Sequence, residues 1–432
     1  MLQEELIFSF FFVFCLLFDA KRWRKITTFY KKMECGKLFF ATLQMVMIGK
    51  YMCGALLLLL MGCQSASREA VTATSDQPVK ETMDRSVRIQ PMYAEGIRVD
   101  YTAEGLPLVE IQNPQEPRSQ IYRFALVPKG TAAGQTVPKE YTPIEIPIRH
   151  CICMTSLQLS NFIALEAYDY VSGVTSTRHL FNAEMNERIR NGQCAKIGIE
   201  GNFDQEIILS MDPDVIFISP FKRGGYESMK EVHTPLVPHL GYKERTPLGQ
   251  AEWVKLIGLF IGKAAEANQL FAAIEQRYQS LKEEAAQVSQ RPIVFSGEIR
   301  GGNWYAVGGK SFLAQLFTDA GADYFLKEDE TSGGVTLDFE TVYSRADQAD
   351  YWRIVNSYEG SYSYEALKAS DPRYADFKAF QQRQVLYCNM NEQPFYERMP
   401  MEPDVVLADL IHAFHPELLP ADYEPHYYAL LK

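Results

Sequence analysis

A long helical passage at residues 247–289 interrupts an otherwise regular alternation of strands and helices. Thr246 followed by Pro247 is a favourable N-cap and first-turn pair, so the pair predicts a helix over Pro247–Ile261. Apolar residues spaced by three and four then predict a second helix over Lys263–Ser289. A helix of that length spans about 40 Å, which is more than one small lobe needs. The passage therefore predicts a chain in two parts that are joined by a stiff helical connection.

Strands alternate with helices on both sides of this passage. Before it we predict strands at Ile144–Met154, Tyr170–Thr175, Val215–Ser219 and Leu236–Pro238, and helices at Ser156–Tyr168 and Asp204–Met211. After it we predict strands at Pro292–Ser296, Tyr351–Val355 and Val385–Asn389, and helices at Ser311–Ala320, Phe339–Ser344, Tyr364–Lys378 and Pro403–Phe414. Such alternation is typical of a parallel sheet covered by helices. We therefore predict an α/β fold in which two Rossmann-like α/β lobes are joined by one long rigid helix.

The remaining chain precedes the first lobe. The predicted segments are a leader at 1–62, a flexible tether at 63–95, a β-rich extension at 96–143, the first lobe at 144–246, connecting helices at 247–289 and the second lobe at 290–432. The short strands Ile97–Asp100, Leu108–Gln112 and Gln120–Val127 predict that the extension is a small antiparallel ribbon or is wrapped on the main body.

The leader contains the layout of a secretory signal. Lys50 is a positive flank, and an apolar run that is too short to span a membrane as a helix follows it up to Cys63. The stretch Leu60-Met-Gly-Cys63 resembles the bacterial lipobox, in which the cysteine is acylated and becomes the new N-terminus. Residues 1–44 are superfluous to such a signal. They are either an over-extended start, with translation beginning at Met45 or Met47, or a genuine additional anchor.

Charge and motif content exclude several classes of function. The net charge is +4 over residues 1–62 and −15 over the remainder, so the acidic body argues against a nucleic-acid partner. No Gly-x-Ser-x-Gly or His-Glu-x-x-His motif occurs, so we expect no enzyme and no catalytic residues. His412-x-x-His415 lacks a completing cluster and no Cys-x-x-Cys pair exists, so we expect no metal site and no cofactor. Disulfide formation by the four cysteines after the leader, Cys151, Cys153, Cys194 and Cys388, stays open.

The order of motifs resembles the periplasmic substrate-binding lipoproteins of ABC importers, in the subgroup that binds cobalamin, ferric siderophores and haem (the class III periplasmic binding proteins). The resemblance runs over about residues 145–432. It is carried by the lipobox, Thr155-Ser-Leu157, Val171-Ser-Gly-Val174 and Phe203–Pro220, and the Bacteroides-type branch is indicated by Thr246–Trp253, Pro403–Asp409 and Phe414-His-Pro416. The resemblance implies a ligand held in the cleft between two lobes and only small domain motions. It also implies a monomer in the periplasm, anchored to a bacterial membrane through Cys63 and partnered by an ABC permease.

The resemblance also assigns one acidic residue in each lobe to permease docking. In cobalamin-binding relatives, an exposed glutamate on each lobe contacts arginines of the permease. Glu206 occupies the matching place in the first lobe, and Glu340 in Leu337–Ser344 occupies it in the second. Two carboxylates on opposite lobes set a docking register by charge complementarity.

Candidate ligand-binding residues follow the predicted strands, because open parallel sheets bind ligands beyond the carboxyl ends of their strands. In the first lobe they are Thr155, Ser156, Arg178, His179, Phe221 and Lys222, and in the second Glu298, Arg300, Trp304 and Tyr305. Aromatic rings beside a cation suit a bulky, partly apolar ligand such as an iron chelate, haem or a corrinoid. The alternative is a two-lobed periplasmic interaction or sensor protein that has no transport role.

Overall fold

The computed structural model describes residues 87–131, 136–175, 177–199, 202–220 and 232–432. The leader, Cys63 and the candidates Phe221 and Lys222 lie outside the described residues. No helix in the described ranges is both long enough and apolar enough to cross a membrane.

The β-rich extension is a four-stranded sheet. Its strands are β1 (Ile97–Tyr101), β2 (Pro107–Ile111), β3 (Tyr122–Pro128) and β4 (Thr142–Ile146). The first three are antiparallel neighbours, and β4 runs parallel to β3. The single strand predicted over Ile144–Met154 is therefore wrong, since its first part completes this sheet and its last part begins the first lobe. Pro147, which has no N–H to donate, lies where the two parts separate.

The first lobe is built on a five-stranded sheet in the order β11-β10-β5-β6-β7. Its strands are β5 (Cys151–Cys153), β6 (Val171–Val174), β7 (Ala195–Lys196), β10 (Val215–Ile218) and β11 (Leu236–Pro238). A hairpin of β8 (Gly198–Ile199) and β9 (Asn202–Phe203) lies outside this sheet, and the helices are α1 (Ser156–Ala164), α2 (Ala183–Arg190) and α3 (Gln205–Ser210). Every strand pair of the five-stranded sheet is parallel, and the strand order reverses between β5 and β10.

The second lobe repeats this plan with a different order, β15-β12-β17-β18-β19. Its strands are β12 (Ile293–Ser296), β15 (Asp323–Tyr324), β17 (Tyr351–Asn356), β18 (Val385–Asn389) and β19 (Ala429–Leu430), of which only β19 is antiparallel. A three-stranded antiparallel sheet joins β13 (Glu298–Arg300), β14 (Asn303–Val307) and β16 (Gly334–Leu337). The order reverses between β12 and β17. The predicted two-lobed α/β architecture is confirmed.

The helices between and around the lobes fall in chain order. They are α4 (Pro247–Ala251), α5 (Trp253–Ile261), α6 (Ala264–Ala285), α7 (Phe312–Asp319), α8 (Phe339–Ala346), α9 (Tyr364–Ser370), α10 (Lys378–Gln381), α11 (Phe395–Arg398) and α12 (Pro403–Phe414). The helix predicted over Tyr364–Lys378 is interrupted at Asp371, whose extended backbone precedes Pro372. Proline removes an N–H and disfavours the helical conformation of the residue before it.

The connecting passage bridges both lobes. In α5 every residue is buried, and Phe260 contacts the first lobe through its carbonyl, which accepts the N–H of Ile148 at 2.9 Å. Gly262, with a φ of +77°, ends α5, and a side chain at Gly258 would collide with Ala267 of α6. In α6, the Tyr278 hydroxyl donates to Asp319 of the second lobe at 2.7 Å. One apolar core runs through both lobes and these helices.

Two buried carboxylates tie the end of the predicted tether to this passage. Glu252 accepts the N–H groups of Met92, Tyr93 and Ala94 at 2.7–2.9 Å, and Lys255 Nζ lies 2.7 Å from its Oε1. Glu244 accepts three further N–H groups, from Glu95, Gly96 and the Trp253 indole. Burial raises the pKa of Glu244 to about 7, although these donors act in the opposite direction. Residues 87–95 therefore pack on the body, which shortens the predicted flexible tether.

Candidate functional site

Polar residues collect where the strand order of the first lobe reverses. Thr155 and Ser156 follow β5, and Ser219 follows β10. The Thr155 N–H donates to Gln158 Oε1 at 2.8 Å, and Gln158 Nε2 donates to the Ser219 hydroxyl at 2.9 Å. Because Gln158 and Ser219 are buried, they fix the start of α1 and leave Thr155 and Ser156 half-buried at the carboxyl edge of the sheet. Such a reversal point is where doubly wound sheets bind ligands.

The reversal point of the second lobe carries a linked polar wall. Glu298 accepts Arg300 Nη2 at 2.7 Å and Asn356 Nδ2 at 3.1 Å. The Tyr387 hydroxyl donates to Asn356 Oδ1 at 2.9 Å, and the ring of Tyr362 stacks on Tyr387 at 4.5 Å. We call Glu298, Arg300, Asn356, Tyr362 and Tyr387 the lobe-two wall.

The chemistry of this wall is set by burial. Burial raises the pKa of both Tyr362 and Tyr387 well above that of a free phenol, so both hydroxyls stay protonated at physiological pH and can donate hydrogen bonds. The guanidinium of Arg300 is held by Glu298 in an ion pair. The lobe-two wall therefore offers a ligand neutral hydroxyl and amide groups and aromatic rings. Its one cation, Arg300, is already paired with the carboxylate of Glu298.

The two lobes contact each other through the chain after β6 and helix α11. The Phe181 N–H donates to Glu397 Oε2 at 2.7 Å, and the ring of His179 lies 6.2 Å from that of Tyr396. Glu397 is only 1% exposed, and burial raises the pKa of its carboxyl. The chain after β6 in the first lobe therefore contacts α11 in the second, and we call the space between the two carboxyl edges the seam.

The predicted site residues are distributed unevenly around the seam. Arg178 is exposed and His179 half-buried, and the His179 Nδ1 atom is buried with no hydrogen-bond partner among the described residues. Tyr305 is 46% exposed and pairs directly with Glu298 across β13 and β14. Thr155, Ser156, Glu298 and Arg300 also lie at the carboxyl edges. These placements keep all seven residues as candidates.

Trp304 is the exception, and its prediction as a ligand-binding residue is wrong. It is 0% exposed, donates its indole N–H to the Ser296 carbonyl at 3.0 Å, and stacks on Trp352 at 5.6 Å. Neighbouring residues of a strand point to opposite faces, so exposure of Tyr305 requires that Trp304 points into the core. Trp304 therefore packs inside the second lobe and has no surface for a ligand.

Several residues around the seam were missed by the sequence reasoning. Asn356 is the last residue of β17, and Tyr358, which is 37% exposed, comes two residues later with its ring 4.8 Å from Tyr362. Tyr396, which is 44% exposed, borders the seam on α11. The end of β18 was predicted correctly and that of β17 one residue short, at Val355. The rule that ligands bind beyond strand ends would therefore have found Asn356 and Tyr358.

The two predicted docking acids occupy equivalent places. Glu206 is the second residue of α3 and Glu340 the second of α8, and each helix leads into the strand beside its lobe's reversal point. Asp204 caps α3 by accepting the Ile207 N–H at 3.0 Å, and Asp338 caps α8 by accepting the Thr341 N–H at 2.7 Å. Both glutamates are exposed. Because a helix that precedes a parallel strand starts at the carboxyl edge, both acids lie on the side of the molecule where the seam opens.

The anchoring of these two helices is also equivalent. Ile208 and Val342, each two residues after the acid, are both 0% exposed. Asp214, which precedes β10, accepts N–H groups just before β5, and Asp350, which precedes β17, accepts the N–H of Ile293 in β12. The lobes therefore share one structural unit around the acid, although their sequences show no repeat.

Three observations concern parts of the molecule outside this arrangement. A surface depression of about 840 Å³, lined by Arg291, Asp350, Gln382 and His415 among others, lies at the amino edge of the second sheet, away from the seam. Within the described ranges, no group of three or more His, Cys, Asp or Glu residues is arranged to hold a metal ion. The four described cysteines are free and buried.

Comparison with known proteins agrees with this fold. Residues 152–391 match the family described as "Periplasmic binding protein". An uncharacterised lipoprotein of Methanocaldococcus jannaschii is 22% identical over 366 residues, which cover 80% of this chain and 85% of the relative. A second uncharacterised lipoprotein of that organism is 24% identical and covers 58% of this chain and 64% of the relative.

Solved structures share the fold at low identity. A periplasmic haem-binding protein from Pseudomonas aeruginosa has a TM-score of 0.53 at 16% identity and covers 66% of this chain and 98% of its own. A periplasmic binding protein from Veillonella parvula has a TM-score of 0.52 at 14% identity and covers 74% of this chain and 98% of its own. The molybdate-bound binding protein of a Haemophilus influenzae ABC transporter has a TM-score of 0.50 at 16% identity and covers 63% of this chain and 87% of its own.

Proposed function

Because this chain belongs to the periplasmic binding protein family, whose members bind substrates for transport and are not enzymes, we propose that it captures a bulky chelate in the seam and delivers it to an ABC import permease. The chelate is a ferric siderophore, haem or cobalamin. One observation supports the proposal: polar side chains lie at the reversal points of both sheets, and the lobes contact each other through Phe181 and Glu397.

The chemistry of the seam favours a chelate over a small oxyanion. Tyr305, Tyr358 and Tyr396 expose between 37% and 46% of their surface near the seam, and flat rings suit a ligand with a large apolar area. Arg300 is paired with Glu298, so the cation of the lobe-two wall is less available to balance the charge of a bare oxyanion. Cys63 lies outside the described residues, and a lipid anchor there belongs to the same proposal, with support from the lipoprotein relatives.

The test is a ligand titration of the full chain in detergent. Haem, a ferric catecholate, a ferric hydroxamate, cobalamin and molybdate are each added while intrinsic fluorescence quenching and ligand absorbance are followed. We expect one of the four chelates to bind and molybdate to have no effect. Binding of molybdate alone would contradict the proposal that the ligand is a chelate. Capture of a partner protein without binding of any ligand would favour the alternative, a two-lobed interaction protein that has no transport role.

A matched pair of variants tests the location of the site. Asn356→Ala should weaken binding of that chelate about tenfold, because it removes the amide that links Glu298 to Tyr387 and the net loss of one or two hydrogen bonds is about 1–2 kcal/mol. Gln382→Ala, an amide deletion at the amino edge depression, should leave affinity unchanged. Urea unfolding of both variants checks that the fold is retained. Equal losses in the two would argue against a site at the seam.

A further inference from the structure

The two docking helices differ at the position that follows the acid by three residues. In α3 this position is Leu209, which is 58% exposed, and in α8 it is Tyr343. The ring of Tyr343 stacks on Phe339 at 5.8 Å and meets Phe377 edge-on at 5.4 Å, so it packs on its own lobe. Residues three apart on a helix share a face. Leu209 therefore stands beside Glu206 with its apolar side chain presented to solvent.

A second exposed aliphatic residue lies on the element that leads into α3. Ile199 in β8 is 63% exposed, and the hairpin of β8 and β9 connects directly to the cap of α3 at Asp204. Single exposed apolar residues are common, but two on consecutive elements of the chain, one of them beside a solvent-facing charge, are a feature of protein-binding surfaces. We call Ile199, Glu206 and Leu209 the lobe-one patch.

The two acids, Glu206 and Glu340, also differ in their charged neighbours. No ion pair joins Glu206 to another residue in the described ranges. Glu340 lies 3.9 Å from Arg373, whose guanidinium also pairs with Asp371 at 2.7 Å and covers the ring of Phe339 at 4.1 Å. The second lobe therefore presents a carboxylate beside a cation and keeps its aromatic side chains covered.

We propose that the lobe-one patch makes the stronger contact with the permease. Ile199 and Leu209 enter an apolar depression of a permease subunit, Glu206 pairs with a basic residue at its rim, and Glu340 of the second lobe only sets orientation. Buried apolar anchors carry most of the energy of a typical interface, and charges at its rim act mainly on association rate and register. This inference rests on the proposed function, since it names how the same partner is held.

The test compares point variants of the full chain on one importer. The importer that co-purifies with the tagged wild-type chain from native membranes is identified by its permease and ATPase subunits and is reconstituted in lipid nanodiscs. Affinity is then measured for Ile199→Ser, Leu209→Ser, Glu340→Gln and the control Ile293→Ser. The side chain of Ile293 is also exposed, at 42%, but it lies at the amino edge of the second lobe.

We expect each serine variant of the lobe-one patch to lose about tenfold in affinity, Glu340→Gln to lose less than about threefold, and Ile293→Ser to match the wild type. Ligand affinity should be unchanged in all four. Wild-type affinity in both Ile199→Ser and Leu209→Ser, or a greater loss in Glu340→Gln than in either, would overturn the inference and leave the proposed function standing. Failure of the wild-type chain to bind any importer would instead remove the proposed function and this inference together.

Discussion

Replacing Glu252 with alanine is expected to lower the free energy of unfolding by about 3–5 kcal/mol. The carboxylate is 0% exposed and accepts the N–H groups of Met92, Tyr93 and Ala94. Its ion-pair partner Lys255 is only 10% exposed. The substitution leaves a buried ammonium and buried N–H groups without an acceptor, and each such loss is costly in a region that excludes water.

The matched control is Glu266→Ala, since Glu266 lies exposed in the first turn of the neighbouring helix α6. A surface substitution of this kind should change stability by less than about 0.5 kcal/mol. Urea unfolding followed by circular dichroism measures both variants. A loss below about 1 kcal/mol for Glu252→Ala would mean that residues 92–94 are not held by this carboxylate.

The second large effect concerns docking. Reversing both acids, with Glu206→Arg and Glu340→Arg, should reduce uptake of the bound chelate about 100-fold or more. Placing two cations against a basic permease surface changes attraction into repulsion, and like charges at an interface cost several kcal/mol. Both side chains are exposed, so stability and ligand affinity should stay at wild-type values.

The control for docking uses acids of the same lobes that lie elsewhere. Glu166 and Glu417 are exposed and lie at the amino edges of the two sheets, after α1 in the first lobe and after α12 in the second. Reversing both of these preserves the change in net charge but not its position. Uptake that falls equally in the two double variants would show a general charge effect and would remove the docking role of Glu206 and Glu340.

The sequence predicted those parts of the fold that depend on strong local patterns. Val385–Asn389 and Pro403–Phe414 have the predicted bounds, and the long helix predicted over Lys263–Ser289 runs from Ala264 to Ala285. The errors lie at Pro147 and Pro372, where apolar periodicity continues past a residue that cannot continue the hydrogen-bonded structure. Periodicity alone does not mark such ends.

The site was less predictable because its contacts are distant in sequence. Glu252 reads as an ordinary polar residue of a helix, since its donors lie 158 to 160 positions away along the chain. Which of Trp304 and Tyr305 points into the core depends on how β14 lies against the second lobe. The alternation of side chains along a strand shows only that the two point to opposite faces. Glu206 and Glu340 were assigned to docking by resemblance rather than by local pattern, and that role stays a prediction.

The central claim is that a ligand is held between the facing carboxyl edges of the two sheets. A crystal structure of the full chain with the chelate that binds in titration tests it most directly. The account predicts ligand density in contact with Thr155 or Ser156 on one side and with Asn356 or Tyr358 on the other. Density at the amino edge depression, beside Arg291 and Asp350, would contradict it.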